Sequence, residues 1–255
     1  MKLVIQDVKK SECFQIIFQN IRAFSDKYCI NFDPEHVYIQ GMDYSHVAIF
    51  EVMIKKDWFN EYECETQFNI GIHGSIFSKI LATRDLVQHI VINCDNDNPD
   101  SMDLSFTHPS NSFDKHFKMP LIDYESEMMS IPDTDYSVNM EIESKEWKKI
   151  LDQLSNFGDS IHFECKEDSV HLISGNIEGK MDINILSDKI ETYEVDEGCD
   201  MSSDFQLRYL QTMANFQKIN KYINIMMSPD IPCCCKFNLD EDNYVKFYLA
   251  PQIND

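Results

Sequence analysis

Phe14 to Ile39 reads FQIIFQNIRAFSDKYCINFDPEHVYI, and Trp147 to Leu172 reads WKKILDQLSNFGDSIHFECKEDSVHL; the two stretches lie 133 positions apart and align without a gap. Phe14 falls on Trp147, Ile17 on Ile150, Phe18 on Leu151, Ile21 on Leu154 and Phe24 on Phe157, which is the spacing of one helix face. Tyr28 then falls on Ile161, Ile30 on Phe163, Val37 on Val170 and Ile39 on Leu172, and these alternate as strand residues do. One helix-then-hairpin unit is therefore written twice. A repeat at half the chain length predicts two similar domains in a pseudo-symmetric object.

Working outward, four segments carry a helical period: about 10–24, 75–83, 144–156 and 203–216. Ser144 reads as the N-cap of the third. The string Lys79-Ile-Leu resembles Arg208-Tyr-Leu, so the second helix of each half is repeated as well. Most of the remainder alternates, as in 37–40, 47–52, 89–93, 160–165, 170–173, 222–226 and 245–249. Each half thus predicts two helices on antiparallel sheets, an α+β layering. The expected division is 1–119, a connector over 120–134, and 135–255. The connector is acidic and lies between Pro120 and Pro132, yet keeps apolar anchors at Leu121, Met129 and Ile131, which reads as ordered rather than floppy.

The 255 residues suit two ordinary domains, and only 7 Gly and 8 Pro argue against a loop-dominated chain. No stretch approaches a membrane span, and the first residues are too briefly apolar for a signal peptide, so a soluble intracellular protein is expected. Nine cysteines without a Cys-x-x-Cys spacing read as packed free thiols in a reducing compartment, including Cys233-Cys234-Cys235. The net charge of −22 argues against a polyanion partner only as an average. Segments 9–24, 74–85, 144–157 and 207–221 carry +2, +1, +1 and +3, which leaves −29 for the rest. The helices are basic and everything else is acidic. One face shared by four basic helices would meet a polyanion, whereas lysines on solvated helix faces would mean nothing more.

Several strings resemble the sliding clamp of eukaryotic and viral replication, the proliferating cell nuclear antigen family. They are Tyr38-Ile-Gln-Gly-Met-Asp-Tyr-Ser-His-Val, Ser78-Lys-Ile-Leu, Leu121-Ile-Asp with Ser130-Ile-Pro, Leu207-Arg-Tyr-Leu, and Phe247-Tyr-Leu-Ala-Pro-Gln-Ile, in family order along essentially the whole chain. The resemblance implies a DNA-clamp fold and three subunits closed head to tail into a ring, with helices lining the hole and sheets outside. It implies a homotrimer whose seam joins edge strands at about 113–120 and 177–185, with Phe113, Phe117, Lys118, Lys180 and Ile183 at the interface.

It also implies sequence-blind contact with double-stranded DNA through the ring. The matching basic positions are Arg22, Lys79, Lys149 and Arg208, with Lys10, Arg84, Lys148, Lys218 and Lys221 nearby. Gln15, Ala82 and Asp152 stand where the family is usually basic. The docking groove for DNA polymerase, clamp loader and other proteins carrying a short clamp-binding motif would be formed by Met42, His46, Val47, Met129, Ile131, Pro232, Tyr248, Leu249, Ala250 and Pro251. Tyr44 replaces a small residue beside that groove. The lysine modified in cellular clamps corresponds to Glu167, with Lys166 adjacent.

No phosphate loop, nucleophile elbow, zinc-protease motif or calcium loop is present, so no enzyme, cofactor or metal is expected. The acidic runs at 95–100 and 240–242 read as solvated turns. The expected function is a DNA polymerase processivity factor in the nucleus or a viral replication compartment. A subunit of a heterotrimeric checkpoint clamp and a non-DNA scaffold with the same fold are the alternatives.

Overall fold

The first helix, α1 (Val8–Ile21), is opened by Asp7, whose extended backbone and Oδ1 capture the Lys10 amide at 2.9 Å. Its apolar positions Phe14, Ile17, Phe18 and Ile21 are all buried, as the period requires. The computed structural model describes residues 1–95, 100–110, 113–126, 128–199 and 201–253. The chain forms two units. One comprises Met1–Tyr44, Ile49–Met129 and Leu239–Val245; the other comprises Ser45–Ala48, Ser130–Asn238 and Lys246–Asp255.

In the first unit the strands are β1 (Lys2–Ile5), β2 (Lys27–Phe32), β3 (His36–Met42), β4 (Ala48–Lys55), β5 (Glu61–Glu63), β6 (Phe68–His73), β7 (His89–Cys94), β8 (Ser101–Thr107) and β9 (Lys115–Pro120), with α2 (Gly74–Leu81) after β6. They pair antiparallel in the orders β5-β1-β7-β8-β9 and β4-β3-β2-β6. The second unit holds β10 (Val138–Glu143), α3 (Ser144–Leu154), β11 (Ser160–Cys165), β12 (Ser169–Asn176), β13 (Gly179–Leu186), β14 (Thr192–Val195), β15 (Met201–Gln206), α4 (Leu207–Ala214), β16 (Tyr222–Met227) and β17 (Cys233–Asn238). Their orders are β13-β12-β11-β15 and β14-β10-β16-β17. The last strand, β18 (Tyr244–Leu249), gives its first two residues to the first unit and the rest to the second.

The repeat extends well past Ile39. β2 and β11, β6 and β15, α2 and α4, and β7 and β16 each begin and end 133 positions apart. This register corrects the string match between the second helices. Gly74 corresponds to Leu207, so Lys79 corresponds to Thr212 and Arg208 to Ser75. The three-residue likeness lies four positions away, about one helical turn.

Two further expectations are corrected. Residues 203–206 belong to β15, because Ser203 and Phe205 sit opposite Phe163 and Ile161 in a continuous ladder. Ser144 is the first residue of α3 rather than its cap; it is buried, and its hydroxyl donates to the Asn220 carbonyl at 2.9 Å. The pair Phe24 and Phe157 also diverges, since Phe24 is buried and Phe157 is exposed.

Aromatic side chains tie helices to sheets in each unit. Phe18 meets Phe77 at 4.7 Å and Tyr28 at 6.3 Å, and Tyr28 meets Phe50 at 6.2 Å, which joins α1, α2, β2 and β4. In the second unit Trp147 meets Phe163 at 6.1 Å, and Phe163 meets Phe205 at 5.6 Å. Trp147 is 1% exposed, and its indole N–H has no acceptor. Trp147→Ala should therefore cost about 3–5 kcal/mol by emptying a core site. Trp147→Phe should cost clearly less, because no hydrogen bond is lost. Denaturant unfolding of both variants checks this, and equal losses would contradict it.

None of the nine cysteines forms a disulfide, and seven are buried. Cys233, Cys234 and Cys235 open β17 with both faces of the strand covered. β2 is likewise buried on both faces. Tyr28, Ile30 and Phe32 alternate with Cys29 and Asn31, and the latter two lie beneath the connector: the Cys29 thiol donates to the Tyr124 carbonyl at 2.7 Å, and the Asn31 amide reaches Met128 Sδ at 3.8 Å. The connector starts as a single bridge in which the Ile122 amide donates to Gly71 at 2.9 Å. A side chain at position 71 would collide with the Ile122 carbonyl oxygen, so only glycine admits this approach. Leu121, Met129 and Ile131 are half-buried.

Candidate nucleic-acid face and docking surface

Helices pack in pairs, α1 beside α2 and α3 beside α4. In the second unit the Gln211 amide fastens α4 to the end of α3 through Ser155 Oγ at 3.1 Å and Asp152 Oδ1 at 3.3 Å. In the first unit, Arg22 follows α1 with its Cβ 3.4 Å from the place a side chain on Gly74 would occupy, at the start of α2. Burying one face of each pair leaves the opposite face to solvent, and the basic residues are distributed there unequally.

Arg22, Lys79, Lys149, Arg208, Lys218 and Lys221 are exposed. Arg22 is steadied by donating to the Gln19 carbonyl at 3.1 Å. Arg208 stacks 4.7 Å over the Tyr209 ring and donates to Gln206 Oε1 at 3.0 Å. Lys221 lies 4.5 Å over Tyr222 and donates to its hydroxyl at 2.6 Å. These tethers fix the stems while the charges stay reachable. Lys149 pairs with Glu146 and Lys148 with Asp152, each at 3.1 Å. Such surface pairs contribute only about 0–1 kcal/mol and can be exchanged for phosphate. Asp152 nonetheless offsets charge on α3, in keeping with its departure from a basic position.

Two of the basic positions are otherwise engaged. Lys10 is half-buried, donates to the Trp58 carbonyl at 2.7 Å and sits 5.3 Å over the indole. Arg84 is 8% exposed, and its guanidinium donates to the carbonyls of Leu86 at 2.8 Å, Gln88 at 2.9 Å and Asp85 at 3.3 Å. Burial pulls its pKa down from the ordinary arginine value. Arg84 is a brace for its loop, not a phosphate contact. Arg84→Ala should lower stability by about 2–3 kcal/mol, because three carbonyls lose a charged donor. It should leave the salt dependence of DNA binding unchanged, and titration at several salt concentrations reads that directly. Lys145, one turn before Lys149 on α3, is an exposed lysine that family matching missed; its i,i+4 spacing to Lys149 was the available signal.

The two strands expected at a seam are both edge strands of their sheets: β9 ends one order and β13 another. On β9, Phe117 packs 5.6 Å from Phe106 and Lys118 is exposed. Phe113, 62% exposed, precedes β9 beneath the Lys115 ammonium. On β13, alternate residues are exposed: Lys180 faces solvent and Ile183 is half-buried.

The residues expected to form a docking groove fall in both units. In the first, Met42 ends β3 and Met129 is held by Gln40; both are half-buried. In the second, the Ala250 amide donates to the Val47 carbonyl at 3.0 Å, which sets Val47 and His46 beside Ala250 and Pro251 although some two hundred residues separate them in sequence. His46 is exposed and holds a left-handed backbone with φ 58°, a strained conformation for a non-glycine residue. Pro232 is exposed, its carbonyl accepting the Tyr136 hydroxyl at 3.3 Å, and Ile131 and Tyr248 are half-buried. Leu249 departs from the set: it is 0% exposed, because β18 turns that residue into the core.

The N-terminal-domain model of proliferating cell nuclear antigen matches residues 5–128, and the C-terminal-domain model matches residues 130–252. The chain belongs to the proliferating cell nuclear antigen family. It is a DNA sliding clamp of α+β fold, built from two clamp domains, and a non-enzymatic scaffold for DNA replication that binds DNA and client proteins. No described helix of this clamp is long and apolar enough to cross a membrane. Among the described residues no group of three or more His, Cys, Asp or Glu is placed to hold a metal ion. The acidic run at 240–242 is a turn in which Asp240 Oδ1 accepts the amides of Asp242 at 3.2 Å and Asn243 at 3.1 Å. In the run at 95–100, residues 96–99 lie outside the described residues.

Proposed function

We propose that this clamp closes as a homotrimeric ring around duplex DNA and serves as a DNA polymerase processivity factor, acting in the nucleus or in a viral replication compartment. The observation that carries the reading is charge segregation. A chain of net −22 places Arg22, Lys79, Lys149 and Arg208 on or beside its four helices, all of them exposed. Contacts of this kind neutralise phosphate without reading bases, which suits sliding. The edge strands β9 and β13 support head-to-tail closure, since pairing them removes two exposed edges per protomer. The proposed domain division remains 1–119, a connector over 120–134, and 135–255.

The docking surface in this reading comprises Met42, His46, Val47, Met129, Ile131, Pro232, Tyr248, Ala250 and Pro251. Its occupant is the short aromatic-anchored segment of a polymerase, clamp loader or other client. Loader-dependent retention tests the ring: the clamp should stay on nicked circular DNA through a salt wash and leave once the circle is cut. Equal loss from circular and linear DNA would reject encirclement.

A further inference from the structure

The face of β3 and β4 that bears Tyr38, Gln40 and Glu51 carries polar residues that packing alone does not require. Gln40 is 3% exposed and Glu51 7% exposed, and they sit directly opposite each other in the ladder. A buried amide and a buried carboxylate are costly unless every polar atom is matched. Here they are matched in a continuous line. The Tyr244 hydroxyl donates to Glu51 Oε1 at 2.5 Å. Glu51 also hydrogen-bonds the Tyr38 hydroxyl, and burial followed by the Glu51 charge pushes Tyr38 up to about 12. One hydrogen of the Gln40 amide goes to the Tyr38 oxygen at 3.1 Å and the other to the Met129 carbonyl at 3.0 Å. Gln40 Oε1 accepts the Met129 amide at 2.7 Å. Gln40 thus pairs with Met129 as a neighbouring strand would, using a side chain in place of backbone.

We propose that Gln40 is the positioning residue of the connector, and that the relay Tyr244–Glu51–Tyr38, buried at its carboxylate and half-buried at its two tyrosines, sets its orientation. The relay begins beside the turn at 239–243, which is itself fixed to β4: the Lys55 amide donates to Asn243 Oδ1 at 2.5 Å, and the Lys55 ammonium meets Asp242 at 2.9 Å. The turn and the connector are therefore coupled through hydrogen bonds inside one unit. A neutral apolar residue at position 40 would fill the space but would leave the Met129 backbone unpaired, so the amide fixes a geometry rather than adding bulk. The functional consequence rests on the docking reading above, in which Met129 and Ile131 contact the client.

The test is amide exchange at Met129 in the full-length protein. Gln40→Ala should speed exchange there at least tenfold. Tyr244→Phe, which keeps the ring and removes only the hydroxyl, should speed it about threefold or more, by loss of one charge-assisted hydrogen bond to the relay. The double variant should match Gln40→Ala alone, because the tyrosine acts through the glutamine. Unchanged exchange in Gln40→Ala, or an additive double variant, would overturn the proposal.

A synthetic peptide with a one-turn helix and two aromatic anchors supplies the second readout. Its Kd should rise five- to tenfold in Gln40→Ala while native mass holds and the variant stays folded, below its own lowered melting temperature, at the temperature of the titration. A wild-type protein that ignores the peptide would end the docking reading, whereas exchange at Met129 would still decide the relay.

Discussion

Changing Arg22, Lys79 and Arg208 together to glutamate should abolish retention on circular DNA. Each reversal swings two charges, and the three positions lie on α2, on α4 and just after α1, so the segments of the first helix pair fall from +3 to −1 and those of the second from +4 to +2. Phosphate contacts of this class dominate sequence-independent binding, and losing three per protomer, up to nine in a closed trimer, should weaken it by about 10³ or more at moderate salt and lower the salt slope by about 3 or more. None of the three side chains is buried, so fold and subunit mass should not change. Band shift across 50–200 mM salt, beside native mass, measures both. Unaltered retention would mean that the cationic helix faces do not meet the duplex.

Ile183→Asp should break the ring. Ile183 lies on the edge strand β13, half-buried within the protomer, and on the proposed reading the neighbouring subunit covers the rest. A carboxylate there would be taken from water without a partner, a cost of several kcal/mol, or about 10³ or more in the subunit dissociation constant. Three such seams close one ring, so the penalty recurs at every joint. Native mass should fall from three times 29.9 kDa to the single-chain value. The strand itself should survive, since its other edge stays paired with β12. A trimer that persists would move the interface elsewhere.

How far the sequence could be read depends on what each residue answers to. Phe14, Ile17, Phe18 and Ile21 answer to a helix period, and all four are buried. The register of the second helices was misread because Lys79-Ile-Leu and Arg208-Tyr-Leu are alike at one turn's remove; a three-residue likeness cannot fix a phase, whereas strand ladders can. Residues 203–206 looked helical because a strand running straight into a helix keeps apolar residues at spacings compatible with both. Leu249 is placed by family position and Arg84 by its nearness to basic family positions, yet exposure is settled by what folds over them: three loop carbonyls around the arginine and the sheet core around the leucine.

The sequence by itself determined the duplication, the two-helix composition of each half, the free thiols and the concentration of positive charge on helices. These follow from periodicity and composition, which are local or additive properties of a chain. Tertiary structure alone decided that Gln40 clasps Met129, that Gly71 must lack a side chain beneath Ile122, and that Val47 meets Ala250. Those facts join residues about fifty to two hundred positions apart through one or two hydrogen bonds or one steric contact. No pattern along the chain encodes such pairings; they arise only when the sheets have closed and every buried polar group must find a partner.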